Sequence, residues 1–233
     1  AMAALAAIAV GAGVGALNGS LVAGAKLSPF IVTLSTLLAM RGLAKGVANE
    51  QAVRAPGGWI ESLLASLPPG RAWQLVAPGV WLVLALSLGV AFLLGRTRFG
   101  RQLVAVGSHE RAATYSAVPV RAVKVKAFVL CGAFAGLAGL LFFSRLRVGD
   151  PTIAQGFELD VVAAAVIGGA SLNGGQGSIA GSILGALVMS TIRAGGSQLG
   201  WSNWVQEVAT GAIILAAVAI DRLRATNSYS QAK

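Results

Sequence analysis

Few side chains in this sequence have the type and spacing for chemistry, and their arrangement argues against catalysis. His109 is the only histidine and Cys131 the only cysteine. That excludes a histidine cluster, a disulfide framework and metal-ligand spacing. Glu158 and Asp160 form the one close acidic pair; at i, i+2 they point away from each other on a helix, so paired acid–base work is not available. The glycine-rich loop Gly174, Gly175, Gln176, Gly177 resembles a phosphate cradle in composition, but no Gly-Lys-Ser/Thr ending follows it. Without a Walker-type lysine the loop reads as a tight turn between helices. ATP chemistry, if used, must come from another polypeptide. The expectation is a non-enzyme with no metal and no cofactor.

The residues that do stand out are basic. Between residues 96 and 126 lie Arg96, Arg98, Arg101, Arg111, Arg121, Lys124 and Lys126, flanked by uncharged apolar runs of 24 and 18 residues. Such a loop between membrane spans is cytoplasmic by the positive-inside rule. Inside it, Ser108 to Ser116 reads as one short helix. Ser108 is expected to cap it and Glu110 to sit in its first turn, where a negative charge suits the helix dipole. Pro119 is expected to stop it. Ala112 and Ala113 offer a small smooth surface for a groove on a soluble partner, with Arg111 beside an acidic rim. A docking helix and a plain solvated helix fit these residues equally well.

The elements that position this loop must be membrane spans. Hydrophobic residues make up 56% of the chain and charged residues 11%, a membrane composition. The formal charge of +10 does not imply nucleic acid, since Lys26, the loop cations, Arg222, Arg224 and Lys233 fall on one assigned face. Orientation and anionic headgroups account for them. Apolar segments run over 1–24, 29–46, 74–95, 126–146, 157–171, 177–194 and 203–221. The fold class is all-α, a polytopic bundle of six to seven spans in a single domain over 1–233. Segments 29–46 and 157–171 are the weak ones, either of which can be a partial span. Counting crossings places 47–73, 147–156 and 195–202 outside, and Lys26, 173–176 and the C-terminal tail inside. The loop 47–73, with Trp59 and Trp73, fits either a segment lying on the membrane surface or an irregular linker. Glycines recur every fourth residue at Gly11, Gly15 and Gly19, at Gly132 and Gly136, and at Gly177, Gly181 and Gly185. These are expected helix-packing seams, the third within the subunit.

The stretch Gly100 to Gly107, Ala112 and Ala113, Val120 with Lys124, and above all Phe157 to Ser178 resemble the permease subunits of bacterial ABC importers for monosaccharides of the ribose, xylose and galactose type. Gly15 to Gly19, Pro29 to Leu34, and Arg41 with Gly42 extend the resemblance over nearly the whole chain. It implies a multi-pass protein of the bacterial inner membrane that pairs with a second permease subunit. Two ATPase domains would dock on its cytoplasmic face, and an exported substrate-binding protein would deliver the sugar. It also implies that Ser108, His109, Glu110, Arg111, Ala112, Ala113 and Thr114 belong to the coupling segment, pulled when the ATPase closes. The family's first helices have no counterpart before Ala1, so the resemblance reads the chain as N-terminally incomplete, the C-terminal two-thirds of a larger subunit.

For a neutral sugar the expected path is lined by small hydroxyl and amide groups, for which Asn18, Thr33, Ser35 and Thr36 are the candidates. Each of the hydroxyls can instead bond back to its own helix. Arg54, Arg71, Arg145 and Arg147 are expected at the outer surface, facing acidic patches of the binding protein. A same-fold importer for branched-chain amino acids or nucleosides remains an alternative, as does a secondary transporter. Against the latter, the cores of the longer spans are expected to hold no ionisable coupling residue. A membrane scaffold needs only the packing seams.

Overall fold

The computed structural model describes residues 2–54, 77–172 and 174–231. The surface segment expected around Trp59 and Trp73, together with Arg71, Asn173 and Lys233, lies outside the described residues. In chain order the elements are α1 (Met2–Gly24), α2 (Pro29–Val47), β1 (Val53–Arg54), α3 (Pro78–Arg96), α4 (Arg98–Ser108), α5 (Glu110–Tyr115), α6 (Val120–Leu146), β2 (Val148–Gly149), α7 (Phe157–Ile167), α8 (Ile179–Gln198) and α9 (Asn203–Gln231). Five of the described helices, α1, α2, α3, α6 and α8, are long and apolar enough to cross a bilayer, and α9 adds a shorter apolar stretch over Asn203–Ala219.

The two weak segments resolve differently. Pro29 starts α2 at a position where its missing N–H costs nothing, and the helix runs 19 residues with Arg41 and Lys45 near its end. That is long and apolar enough for a full span. The segment 157–171 is helical only over the 11 residues of α7, because the chain turns at Gly168 and Gly169, the latter at φ +86°. At 1.5 Å per residue α7 is about 16 Å long, roughly half the hydrocarbon thickness.

The described chain forms two compact units, residues 1–89 with 111–153, and residues 90–110 with 154–233. In the first, α1 packs along α6 with backbones touching. The space for a Cβ on Gly11 is taken by the Gly132 carbonyl, that on Gly15 by the Phe128 carbonyl, and that on Gly136 by the Ala7 carbonyl. Two of the expected glycine seams are thus the two halves of one contact. In lipid, where apolar surface gains nothing by leaving water, such close approach supplies the dispersion that joins helices. The exposed faces of this unit are correspondingly apolar, with Leu5, Phe30 and Leu88 about two-thirds exposed or more.

In the second unit, α7 and α8 meet the same way. A Cβ on Gly168 would overlap the Gly181 carbonyl, and one on Gly185 the Ala164 carbonyl. Gly177, expected on the same helix face, precedes α8 in extended backbone. Ser178 caps α8, its hydroxyl oxygen accepting from the Gly181 N–H at 3.0 Å. Ala163, Ala164 and Met189 form a small core, with Ile213 and Ile214 of α9 packed on it.

Candidate functional site

The basic loop contains two helices where one was expected. Thr97 caps α4, accepting from the Gly100 N–H at 3.2 Å while donating its own hydroxyl proton back to the Leu93 carbonyl at 2.6 Å. Ser108 is therefore the last residue of α4 and not the first cap of the short helix; His109, in extended backbone, separates the two. The short helix starts at Glu110, so its acidic first turn is as expected. It ends at Tyr115, and the chain leaves it through Ala117 at φ +57°; Pro119 opens α6. Of the two alanines, Ala112 is exposed but Ala113 is only 4% exposed, packed within the chain itself. The small surface this helix presents is Ala112 with Arg111, Thr114 and Tyr115.

In the first unit α1, α2 and α6 line an open cavity of about 680 Å³. Asn18, Thr33, Thr36, Arg41, Phe128 and Cys131 are among its lining residues. Three of the four expected path residues are thus brought together. Ser35 is not among the lining residues, because Thr33, Thr36, Leu37, Met40 and Arg41 share one face of α2 at helical spacing and Ser35 lies off it. Both threonine hydroxyls do bond back to their own helix: Thr33 donates to the Pro29 carbonyl at 2.9 Å, and Thr36 to the Val32 carbonyl at 2.8 Å. Their protons are committed, and the oxygens keep lone pairs that accept. Asn18 is 9% exposed, and its Oδ1 is a buried acceptor with no hydrogen-bond partner. With the arginine and amide donors and the Phe128 ring, the cavity offers acceptors, donors and an apolar wall.

Three of the four arginines expected at the outer surface also gather. β1 pairs antiparallel with β2, Arg54 opposite Val148, and Arg147 closes α6 in the left-handed region at φ +56°. Arg145 lies in the last turn of that helix, and Arg145 and Arg147 are exposed. Beside them Asp150 accepts from the Thr152 hydroxyl at 2.6 Å and its N–H at 2.7 Å, and these bonds hold the carboxyl below the usual carboxylate range.

One pair was not foreseen. Asp160 of α7, 5% exposed, forms an ion pair with Arg193 of α8. Arg193 lies toward the Gln198 end of α8 and is itself exposed, so the buried partner of the pair is the carboxylate. The signal was an arginine in one apolar segment and the acidic pair Glu158 and Asp160 at the start of the neighbouring one. Among the described residues no cluster of metal-ligating side chains forms.

A family profile described as the permease component of branched-chain amino acid transport systems matches residues 1–218. The chain belongs to this permease family. Relatives of the permease include the ribose import permease protein RbsC of Escherichia coli (strain K12), 37% identical over 218 residues, covering 93% of this chain and 67% of the relative. RbsC of Bacillus subtilis (strain 168) is 37% identical over 205 residues, covering 88% and 63%. The L-arabinose transport system permease protein AraH of E. coli (strain K12) is 37% identical over 207 residues, covering 89% and 62%. The chain thus spans roughly two-thirds or less of the length of these relatives. No solved structure matches it. As a permease with several apolar helices of spanning length, it is a multi-pass protein of the bacterial cell membrane.

Proposed function

We propose that this chain is a transmembrane permease subunit of an ATP-driven importer that translocates a monosaccharide, working as one permease domain beside a second permease subunit. The observation that carries this reading is the identity of 37% to ribose and arabinose permeases across about nine-tenths of the chain. ATP hydrolysis falls to a separate ATPase subunit, since the chain has no Walker lysine. On the cytoplasmic side, the segment Ser108 to Thr114 couples the two, with Ala112 and Arg111 as its seat in the ATPase. On the outer side, Arg54, Arg145 and Arg147 steer an acidic substrate-binding protein; Arg71 belongs to the same expectation.

Asn18, Thr33 and Thr36 supply the polar side of the path. Sugar hydroxyls donate to the threonine oxygens and to Asn18 Oδ1 and accept from the Asn18 amide, while Phe128 faces the C–H surface of the ring. The rest of the lining, with Val14, Leu37, Met40, Ala127 and Ala135, is apolar, so the choice of a sugar rests on the permeases the chain resembles and not on the cavity. The test is uptake of radiolabelled pentoses and hexoses into proteoliposomes that hold the permease in its full reading frame, its ATPase and its binding protein. Sugar uptake dependent on ATP and on the binding protein supports the reading. Uptake of leucine or isoleucine and not of sugars would return the chain to the amino-acid branch that the family's description names.

A further inference from the structure

We propose that Gly107, Gly174 and Gly175 are positioning residues for transport: they let the turn between α7 and α8 rest directly on the coupling segment, so that displacement of Ser108 moves both helices. This rests on the importer reading above, in which Ser108 to Thr114 couples the permease to its ATPase.

Gly107 and Ser108 are the last two residues of α4. A Cβ on Gly107 would lie 2.6 Å from the Gly175 nitrogen and 3.2 Å from its Cα. One on Gly174 would lie 2.9 Å from the Gly107 carbonyl oxygen, and one on Gly175 would overlap the Ser108 hydroxyl and lie 2.7 Å from the Ser108 Cα. Each approach is closer than the roughly 3.5–4.0 Å at which non-bonded carbons rest. The two main chains therefore touch with no side chain between them. Gly174 and Gly175, at φ of +90° and +77°, are also glycines for the turn's own conformation. Gly107 is not. It lies in a helix, where alanine is the better residue, and only the turn resting on it calls for glycine.

The turn is tied to the helices on either side of it. The Ser171 N–H donates to the Gln176 carbonyl and the Gly174 N–H to the Ser171 carbonyl, both at 3.1 Å. Beyond it, the Gly168–Gly181 and Ala164–Gly185 contacts hold α7 on α8, and Ala163, Ala164 and Met189 carry Ile213 and Ile214 of α9. A push on the turn thus reaches three helices of one compact unit. Side chains at such a joint would turn through their rotamers and absorb part of the push. Main chain held on main chain has no such slack, and a close-packed contact passes displacement on. Ser108 belongs to the segment that the ATPase moves, and the turn is what it touches.

The test uses the complete importer in proteoliposomes and reads ATPase co-purification, ATP hydrolysis and sugar taken up per ATP hydrolysed. Gly107→Ala keeps α4 helical and parts the two main chains by about 1 Å. Assembly and basal hydrolysis are expected to stay near the wild type, while uptake per ATP falls on the order of tenfold. Gly136→Ala is the control. It drives the same kind of overlap against the Ala7 carbonyl, in the other compact unit, so it lowers thermal stability without lowering uptake per ATP. Unchanged uptake per ATP in Gly107→Ala would overturn the proposal. So would an equal fall in Gly136→Ala, the mark of glycines that only hold the fold. The wild-type complex gives a reading that needs no variant: on ATP binding, hydrogen exchange changes in the turn together with the end of α4. A turn unaffected by ATP would overturn the proposal whether or not Gly107→Ala assembles. A wild-type complex that hydrolyses ATP and takes up no sugar would fail the sugar reading alone, since this exchange is read without sugar.

Discussion

The carbonyl oxygen of Gly11 occupies the space in which a Cβ on Gly132 would sit, and the Gly132 carbonyl does the same to Gly11. Neither residue can grow by one carbon without driving α1 and α6 apart. Gly132→Ala is expected to destabilise the protein by about 1–3 kcal/mol, as overpacking does. Gly13, one helix face away with nothing within 4 Å of its Cβ position, is the control: Gly13→Ala gains about 0.5–1 kcal/mol from the reduced freedom of the unfolded chain. Thermal unfolding in detergent separates the two, and equal shifts would show that the seam is not close-packed.

Ala112→Asp and Ala113→Asp should fail in different ways. Position 112 is exposed, so an aspartate there leaves the permease folded and weakens co-purification of the ATPase. Position 113 is 4% exposed, and a carboxylate there loses its water. Destabilisation of about 3 kcal/mol or more is expected, with loss of the permease itself. Size-exclusion profiles with and without the ATPase distinguish lost docking from lost folding.

Reversing Arg145 and Arg147 together to glutamate should slow association of the binding protein and lower its stimulation of ATP hydrolysis, leaving basal hydrolysis unchanged. Both side chains are exposed, so the effect is one of steering and shrinks as salt screens it, over about 8 Å at physiological ionic strength. Stimulation unchanged at low salt would remove these residues from the docking surface.

Cys131 is the only cysteine of the chain, is exposed, and lines the cavity with Asn18. A methanethiosulfonate reagent should label it, block uptake, and be slowed by millimolar sugar. Cys131→Ser should transport and resist the reagent. Labelling that leaves uptake intact would place the path elsewhere.

Much of this was legible in the sequence because the physics is local or periodic. A glycine every fourth residue can only be a helix face, so the seams were readable, though not that Gly11 and Gly15 would meet Gly132 and Phe128. That Asn18, Thr33 and Thr36 share a cavity, and Ser35 does not, follows from the helical spacing of α2, in which Ser35 falls on another face. Thr97 was as good a cap candidate as Ser108, and a helix started there runs to Ser108 and leaves the short helix to begin at Glu110. Asp160 and Arg193 lie in different segments, and only a three-dimensional register shows that one side chain reaches back to the other.

The α1–α6 contact carries a thermal consequence. In a water-soluble core, helices that separate expose apolar groups to water, and the large heat-capacity change makes the association weaken on cooling. Here Gly11, Gly15, Gly132 and Gly136 exchange protein for acyl chains, with no hydration to gain or lose. Separation of these two helices inside a bilayer should therefore have a nearly constant enthalpy, and the joint should hold as firmly in the cold as at growth temperature.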